Sequence, residues 1–371
     1  TGCCSKTIIA RMPSKPITRG QAATLCLLVP FVFGLGQVHA IERFPYAQTK
    51  VFPGSEWARW PTPGAAGWSA AKLKTARKYT TTTKTAAVLI VQGGQVVDEW
   101  GETKRPFKCH SMRKSILSAL YGPHVAAGKI KRTSTLGELG IDDNAPSLTD
   151  AEKSATVADL LKARSGVYHP ALYETKGMAA RRPKRGSHVP GTFWYYNNWD
   201  FNALGTIFKK QTGQGIYREF ESRLAKPLGM QDFVREKHTR YFTGADSVHA
   251  AYPFQLSARD LARFGLLFAR GGRWGDSQII PHDWVNESTS PYSTTERGGG
   301  YGYMWWVAAN GKFYPNVTLP DGSFAASGYR GHKVLVIPQW DLVVVHRVNT
   351  FEKEGSVSTT EFGQLVKRIL A

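Results

Sequence analysis

The chain is poor in cysteine and shows none of the usual metal-binding patterns. Only four of its 371 residues are cysteines, and Cys3, Cys4 and Cys26 all fall within the first 40 residues. Cys109 is alone in the remainder, so no disulfide can form within that part of the chain. The ten histidines show no H-x-x-x-H spacing, and no cysteine pair of the metal-site type occurs. The sequence therefore implies no metal and no organic cofactor.

Three other signatures are missing, and each absence excludes a kind of chemistry. No G-x-S-x-G elbow is present, which argues against the α/β-hydrolase triad. No phosphate-binding P-loop occurs. The tripeptide Lys-Thr-Gly is also absent from the whole chain. The remaining candidates are nucleophilic chemistries that need neither a metal nor a bound phosphate.

Acidic residues are scarce, with 28 against 48 lysines and arginines, which gives a net charge of +20. Residues 1–40 hold four of the basic residues and no acidic one. The basic residues are scattered and accompany no zinc-finger or RNA-binding signature, so no nucleic-acid partner is expected. One dense cluster contains Arg181, Arg182, Lys184 and Arg185. It is read as a solvated loop, or alternatively as a rim that draws an anionic substrate or envelope polymer towards a nearby cleft.

Long hydrophobic runs are also lacking. The longest, Thr24–Gly36, has about 13 residues where a membrane-spanning helix needs roughly 20. Lys15 and Arg19 precede it and Val38-His39-Ala40 follows, which is typical of a signal peptide with its cleavage site. We therefore predict a signal peptide in residues 1–40, with residues 1–11 as a possible upstream extension. The mature protein would be periplasmic or secreted, without a transmembrane segment.

Among the residues that are present, Ser111-Met112-Arg113-Lys114 is the most informative element. This S-x-x-K sequence enters an apolar helical pattern, and positions i and i+3 of a helix share a face. The Lys114 amine can therefore lie against the Ser111 hydroxyl and take its proton, which makes a serine nucleophilic. The positive end of the helix dipole also favours an alkoxide there. A second S-x-x-K at Ser69–Lys72 opens a polar amphipathic helix, and Ser69 is read as a helix cap.

A Tyr-x-Asn element, Tyr196-Asn197-Asn198, supplies a second pair of polar groups. A phenol near a lysine ammonium is expected to have a lowered pKa, which would make it a usable base. Tyr195-Tyr196-Asn197 overlaps this match. The distance to Ala203-Leu204-Gly205 favours Tyr196 and Asn198, which we predict to orient the lysine or the substrate. A third match at Tyr314-Pro315-Asn316 lies in a turn and is read as structural.

With these elements, the chain resembles the β-lactamase-related serine hydrolases. This group includes class C β-lactamases, DD-peptidases, esterases and amide hydrolases of the nylon-oligomer type. The similarity covers roughly residues 50–371. It includes, in order, AAVLIVQGGQVVDEWG, ATVADLLKARSGV, AKPLGMQDF, LSARDLARFGLLFARGGRW, YGYMWWV and ASGYRGHKVLVIPQWDLVVVHR. The resemblance implies an acyl-enzyme on Ser111, with Lys114 and Tyr196 as its proton relay.

The third element of that family departs from its best-known form. β-Lactamases and DD-peptidases carry Lys-Thr-Gly or His-Thr-Gly at this position. In this chain, counting back from Gly331 and Pro338 puts Ser323-Phe324-Ala325 there, followed by Ala326-Ser327-Gly328. This resembles the A-x-G-x-x-G-Q version of amide hydrolases and esterases, with His332 in place of glutamine. We expect Ala326 and Gly328 at the substrate, and the Ala326 N–H paired with that of Ser111 as an oxyanion hole.

The resemblance and the hydrophobic pattern predict an α/β (α+β) fold of the β-lactamase/transpeptidase type. It has an antiparallel sheet flanked by helices and an inserted, mostly helical lobe. Residues 41–371 would form the catalytic domain, with a discontinuous α/β lobe at about 50–120 and 291–371 and the helical lobe at about 121–290. A helix near Ser69–Tyr79, a hairpin over Ala86–Trp100, strands at Tyr301–Ala308 and Lys333–Val348 and a closing helix at Thr360–Leu370 are expected.

The sequence thus predicts a secreted serine hydrolase acting on a small-molecule ester or amide. One rival is a β-lactamase or DD-peptidase that uses Lys333 or His332 to anchor a substrate carboxylate. The other is a catalytically silent envelope-binding protein with the same fold. His110, next to the nucleophile, is read as structural because successive helical residues point about 100° apart. The residues do not indicate an oligomeric state.

Overall fold

The computed structural model describes residues 51–296, 298–353 and 355–371. The predicted signal peptide of residues 1–40 and its extension therefore lie outside the described residues. Within the described ranges, no helix is both long enough and apolar enough to cross a membrane.

Helices and strands are numbered separately, each in chain order. The helices are α1 (Ala70–Thr80), α2 (Met112–Ala126), α3 (Asp150–Lys153), α4 (Val157–Leu161), α5 (Lys176–Ala180), α6 (Asn198–Thr212), α7 (Ile216–Phe220), α8 (Arg235–His238), α9 (Ala258–Ala269), α10 (His282–Ser288) and α11 (Thr359–Leu370). The strands are β1 (Thr85–Gln92), β2 (Gln95–Gly101), β3 (Phe107–Lys108), β4 (Phe242–Gly244), β5 (Ser247–Ala251), β6 (Gln255–Leu256), β7 (Arg273–Trp274), β8 (Ser277–Gln278), β9 (Ser293–Thr294), β10 (Gly300–Tyr301), β11 (Trp306–Val307), β12 (Phe324–Ser327), β13 (Lys333–Ile337) and β14 (Leu342–Val348).

One antiparallel sheet of eight strands dominates the fold. Its order is β2-β1-β14-β13-β12-β11-β10-β9, so strands from both ends of the described chain meet at β1 and β14. Three two-stranded sheets, β3–β6, β4–β5 and β7–β8, lie outside it. The predicted architecture of an antiparallel sheet flanked by helices is confirmed.

The hairpin of β1 and β2 shows how the sequence sets local structure. Gly93 and Gly94 have φ of 63° and 78°, which the left-handed turn between the strands requires. A Cβ on Gly94 would lie 2.1 Å from the Val51 carbonyl oxygen, so only glycine fits. Residues 87–91 of β1 are all fully buried because both faces of the sheet are covered.

Each face of the sheet packs against its own helices. On one face, apolar residues of α1 and α11 such as Leu73 and Phe362 cover Val88, Ile90 and Val344. The other face carries α2 and α9 and the rest of the helical region. Helix α9 packs so closely that a Cβ on Gly265 would lie 2.6 Å from Val343 Cγ1. Helix α2, which bears the S-x-x-K element, is thus held against the centre of the fold.

The two long predicted strands are each interrupted. Residues 333–348 divide into β13 and β14 at the turn Pro338–Trp340, because Asp341 adopts φ 44° and its carboxylate pairs with the buried Arg270. Residues 301–308 divide into β10 and β11 at Met304, whose φ is 63°. The Met304 carbonyl accepts a hydrogen bond from Ser115 Oγ at 2.8 Å, which ties this turn to α2.

Candidate active site

Ser111 occupies a tight turn between β3 and α2. It is the N-cap residue of α2, and the preceding residue, His110, has φ 48°. The turn is anchored by the Cys109 N–H, which donates to the Phe254 carbonyl at 2.8 Å. Ser111 itself stays partly exposed, whereas Met112 and the residues that follow are buried. The fold therefore presents the Ser111 hydroxyl to solvent at the positive end of a 15-residue helix.

Lys114 joins Ser111 to Tyr196. Lys114 Nζ donates to Ser111 Oγ at 2.8 Å and to Tyr196 Oη at 2.8 Å. The lysine side chain is only 2 % exposed, and its Nζ also lies 4.9 Å from the centre of the Phe201 ring. The structure thus brings together the three residues predicted to be catalytic, although Tyr196 comes from a segment 82 residues further along the chain.

Burial and charge set the protonation states at this site. Desolvation, reinforced by the neighbouring Arg113 guanidinium, holds the pKa of Lys114 well below its usual range. Burial of the Tyr196 hydroxyl raises the pKa of Tyr196 to about 12, against the opposing effects of Ser111 and Arg113. The sequence predicted a lowered pKa for Tyr196; the pKa is raised instead, because burial of the phenol outweighs the opposing effects of Ser111 and Arg113. The lowered pKa of Lys114 favours its neutral amine, and the raised pKa of Tyr196 favours its neutral phenol.

The overlapping Tyr195-Tyr196-Asn197 match does not form the site. Tyr195 Oη donates to the Met178 carbonyl at 2.7 Å, away from Lys114. Asn197 is the N-cap of α6, and its Oδ1 accepts from the Trp199 N–H at 2.6 Å. Tyr314 packs against Phe362 of α11, on the opposite face of the sheet. Tyr196 is thus the tyrosine that the fold places at the Ser111–Lys114 pair.

Asn198 has a different partner from the one predicted. Its Nδ2 donates to the Tyr173 carbonyl at 2.6 Å and lies 3.4 Å from the Leu172 carbonyl. No hydrogen bond joins it to Lys114 among the described contacts, so it anchors residues 172–173 instead of the lysine. Its Oδ1 is buried and has no hydrogen-bond partner among the described residues.

The end of β12 lies directly beside the nucleophile. A Cβ on Gly328 would lie 2.6 Å from the Cys109 carbonyl oxygen and 3.5 Å from His110 Cβ, so the strand approaches the Ser111 turn as closely as glycine allows. The segment beside the serine is therefore Ala326–Gly328. Ser323, assigned to this place by counting, instead donates to the Pro320 carbonyl at the other end of the strand.

The register of β12 corrects the role predicted for Ala326. Gly328 N–H donates to the His332 carbonyl at 2.8 Å, which makes this pair and the pair Ala326–Val334 hydrogen-bonded positions of β12 and β13. The Ala326 N–H therefore points into the sheet and is not available to an oxyanion. Alternation directs the N–H groups of Ser327 and Tyr329 the other way, towards the side on which Trp306 of β11 pairs with Ala325.

Lys333 and His332, the two residues suggested as carboxylate anchors, both have partners within the fold. Lys333 is paired in register with Ser327, on the face opposite Ala326, and its Nζ donates to Ser327 Oγ at 3.0 Å. Both line a cleft of about 420 Å³ together with Trp306, whose ring centre lies 5.4 Å from that of Tyr196, although Ser111, Lys114 and Tyr196 do not line it. His332 is fully buried and accepts from Arg347 Nε at 3.1 Å. Desolvation and Arg347 hold the pKa of His332 well below its usual range, so it carries no charge.

His110 and Cys109 have structural surroundings. His110 Nε2 lies 2.7 Å from Thr350 Oγ1, and desolvation lowers the pKa of His110 to about 4. Burial raises the pKa of the Cys109 thiol to about 11, which leaves it unreactive at neutral pH. The imidazole that precedes the nucleophile therefore fixes the turn at residue 110 and is not the base.

Aromatic residues that the sequence did not assign to the site surround Tyr196. Its ring centre lies 5.4 Å from that of Trp306, 5.9 Å from Tyr301 and 5.1 Å from Phe201. Trp194 packs against Tyr301 and Trp306 in turn. Phe201 and Tyr301 are fully buried and Trp306 is partly exposed, so this apolar wall packs around the Tyr196 ring and reaches the surface at Trp306. The W-x-x-x-x-x-x-F pattern around the Tyr-x-Asn element and the aromatic-rich block YGYMWWV were the sequence signals for it.

The basic cluster at residues 181–185 is largely used within the fold. Arg185 pairs with Glu152, with Nη2 2.7 Å from Oε2, and Nη2 also donates to the Ser147 carbonyl at 2.6 Å. Arg182 pairs with Glu174. Arg181 and Lys184 remain exposed. Two of the four charges thus fasten this loop to neighbouring segments instead of forming a continuous basic surface.

Comparison with known proteins identifies the family. A model of the Beta-lactamase family matches residues 73–365. The chain belongs to the β-lactamase family. A β-lactamase/D-alanine carboxypeptidase from Pseudomonas syringae superimposes with a TM-score of 0.61 at 17 % identity, over 81 % of this chain and 98 % of the other. A protein provisionally assigned as a 6-aminohexanoate-dimer hydrolase from Bacillus anthracis gives 0.58 at 19 % identity, over 79 % and 80 %. At these identities the likeness shows the fold alone.

One sequence relative extends the comparison. An uncharacterised protein of Alkalihalophilus pseudofirmus is 24 % identical over 298 residues, which cover 72 % of this chain and 84 % of the relative. The predicted family and fold are confirmed, and members of this β-lactamase family are typically serine hydrolases.

Proposed function

We propose that this β-lactamase-family protein hydrolyses a small ester or amide through an acyl-enzyme on Ser111. The observation that carries the proposal is the position of Lys114 Nζ, 2.8 Å from both Ser111 Oγ and Tyr196 Oη and almost fully buried. A neutral amine keeps one lone pair, so the contact with Ser111 can reverse, with the hydroxyl donating. The amine then takes the serine proton as a general base.

In acylation, Ser111 Oγ attacks the substrate carbonyl carbon while its proton moves to Lys114. The Ser111 N–H, at the start of α2, and the Tyr329 N–H, which follows the end of β12, are the proposed oxyanion donors. As the intermediate collapses, the bond from carbonyl carbon to leaving group breaks. Tyr196 hands its proton to the leaving oxygen or nitrogen and recovers one from the Lys114 ammonium. The leaving group departs neutral.

In deacylation, the same groups work on water. A water molecule loses its proton to Lys114, directly or through Tyr196, and attacks the acyl carbonyl. The bond to Ser111 Oγ then breaks, and the proton returns to this oxygen to regenerate the serine. No step needs a metal, because the fixed N–H groups and the buried relay supply both charge stabilisation and proton transfer.

The preference for simple esters or amides rests on what surrounds Ser111. The segment beside Ser111, Ala326–Gly328, contains no lysine, and Lys333 Nζ donates to Ser327 Oγ at 3.0 Å. The wall of Trp306, Tyr301 and Phe201 is apolar. An uncharged acyl or leaving group therefore fits this site better than one that carries a carboxylate.

We expect β-lactam turnover to be weak or absent. A β-lactam places a carboxylate next to its ring, and the described residues offer it no cation on β12. Nitrocefin hydrolysis measured beside hydrolysis of a short p-nitrophenyl ester checks this, with the ester expected to be the better substrate. Efficient nitrocefin cleavage, with a kcat/KM near 10⁶ M⁻¹s⁻¹, would instead identify the protein as a β-lactamase.

Trapping the intermediate tests the proposed chemistry. The protein is mixed with p-nitrophenyl acetate, quenched in acid within seconds and analysed by mass spectrometry of its peptides. We expect an added acetyl group on the peptide that contains Ser111, and none on the peptide that contains Ser69. A protein that never becomes acylated by a panel of esters, amides and penicillins would be the catalytically silent binding protein.

We also propose that the protein acts on its substrate outside the cytoplasm. The leader-like pattern of residues 1–40 supports this, and Lys15, Arg19 and the small-residue site at Val38-His39-Ala40 are its signals. Cell fractionation with an antibody to the folded domain, together with N-terminal sequencing of the product, is the direct measurement.

A further inference from the structure

Arg113, the residue just before the lysine, is buried in an unusual way. It is 1 % exposed, and only one of its nitrogens has a hydrogen-bond partner, with Nη2 donating to Asn202 Oδ1 at 2.8 Å. Nε and Nη1 are buried without a partner. Among the described residues, no aspartate or glutamate forms an ion pair with it. A buried guanidinium normally has such a counterion, because desolvating an uncompensated charge is costly.

Ring faces take the place of the counterion. The guanidinium carbon lies 4.2 Å from the centre of the Tyr252 ring and 5.9 Å from that of Tyr173. A cation over an aromatic face is stabilised without being neutralised. A guanidinium also keeps its proton under all ordinary conditions. The positive charge of Arg113 is therefore permanent, unscreened by water, and next in sequence to Lys114.

We propose that Arg113 is a positioning residue whose fixed positive charge keeps Lys114 in the uncharged form that can accept the Ser111 proton. This inference rests on the proposed hydrolase function and names the device that makes its base available. Two positive charges buried on successive residues of one helix repel each other, so the one that can lose a proton does so. The charge also favours the negative alkoxide and oxyanion that form at Ser111.

The other groups around Lys114 do not cancel this effect. Tyr196 and Tyr301 are buried phenols whose pKa values desolvation raises, so they carry no negative charge. Tyr252 is neutral for the same reason, and its hydroxyl donates to the Phe201 carbonyl. Asp200 of α6 is fully buried, bonded to Ser165 and Asn197, and desolvation raises its pKa well above the usual range. Arg113 is thus the charge that faces Lys114 from its own helix, with no ionised acid opposing it from α6 or β10.

The test measures the protonation of Lys114 directly, which does not depend on turnover. The protein is labelled with ¹³C-lysine, the Cε signal of Lys114 is assigned by its absence in Lys114→Met, and the signal is followed against pH. In the wild type we expect the midpoint well below the usual range of a lysine. In Arg113→Met, which removes the charge but keeps an apolar chain, the midpoint should rise by about one to two pH units.

A second variant keeps the proposal testable if Arg113→Met does not fold. Asn202→Asp retains the side-chain shape and places a carboxylate at the position that already accepts from Arg113 Nη2. This neutralises the guanidinium within the fold, and the Lys114 midpoint should again rise. Ser115→Ala is the matched control on α2, because it removes a buried hydrogen bond to Met304 and changes no charge. It should lower the melting temperature without moving the midpoint.

Kinetics separate this role from a merely structural one. For a p-nitrophenyl ester, the acidic side of the pH profile of kcat/KM should move to higher pH together with the Lys114 midpoint. Arg113→Met would then lose about ten- to a hundredfold at pH 7 and recover most of its rate near pH 9.5. An equal loss at every pH, or a wild-type Lys114 midpoint near 10.5, overturns the proposal. If no ester, amide or penicillin is turned over by the wild type, the hydrolase function fails, while the NMR titration still decides the role of Arg113.

Discussion

Replacing Ser111 by alanine is expected to abolish ester and amide hydrolysis, with kcat falling by at least about 10⁴-fold. The reason is that no other hydroxyl on the nucleophile's turn lies within hydrogen-bond distance of Lys114 Nζ. The protein should remain folded, because Ser111 makes no side-chain cap bond to α2 and is partly exposed. Turnover of a p-nitrophenyl ester and the melting temperature are measured together.

Ser69→Ala is the matched control, since it removes the serine of the other S-x-x-K element. Ser69 caps α1, where its Oγ accepts from the Lys72 N–H at 3.3 Å, and it lies in an exposed position. Its loss should lower the free energy of unfolding by about 1 kcal/mol and leave turnover nearly unchanged. Equal losses of activity in the two variants would refute the assignment of Ser111 as the nucleophile.

The local parts of this site were predictable from the sequence. Ser111 and Lys114 lie three positions apart on one helix, so helical geometry alone brings them together. The glycine pair at Gly93 and Gly94 likewise specifies the hairpin that begins the sheet. The resemblance of several ordered blocks then gave the family and the fold, which the family match over residues 73–365 confirms.

The parts that depend on register could not be read from the sequence. A strand alternates its N–H groups and side chains with period two, so an assignment that is wrong by one residue reverses both. The observed register makes the N–H of Ala326 bond within the sheet and puts Lys333 on the face away from Ala326. The sequence did not show this register, so neither placement was predicted. No local pattern shows where β12 begins to pair with β13. Only the approach of Gly328 to Cys109 marks which residues of this strand lie at the serine.

The protonation states of Lys114 and Tyr196 could not be predicted from the sequence either, because they depend on burial. The sequence places a tyrosine near a lysine, and the sign of the tyrosine's pKa shift depends on whether that lysine is charged. In the folded protein the Tyr196 hydroxyl is itself buried, and this desolvation raises the pKa that the sequence predicted to be lowered. Arg113 was visible inside the S-x-x-K element from the start. What the sequence does not show is that its guanidinium is buried against Tyr252 without a carboxylate partner.

Removing the Tyr196 hydroxyl is expected to lower kcat by at least two orders of magnitude while the protein still folds and binds substrate. A positioned proton-transfer group typically contributes about 10²- to 10⁴-fold. Tyr196 Oη lies 2.8 Å from Lys114 Nζ, so Tyr196→Phe breaks the path from the ammonium to the leaving group. Lys114→Met should do at least as much harm, because it removes the base itself. The double variant should be little worse than the poorer single one, since the effects of substitutions within one relay are not additive.

Tyr195→Phe is the control and should have a mild effect on kcat, because the Tyr195 hydroxyl bonds to the Met178 carbonyl outside the relay. Single-turnover acylation by a p-nitrophenyl ester measures all four proteins, and losses that multiply in the double variant would show that Lys114 and Tyr196 act independently.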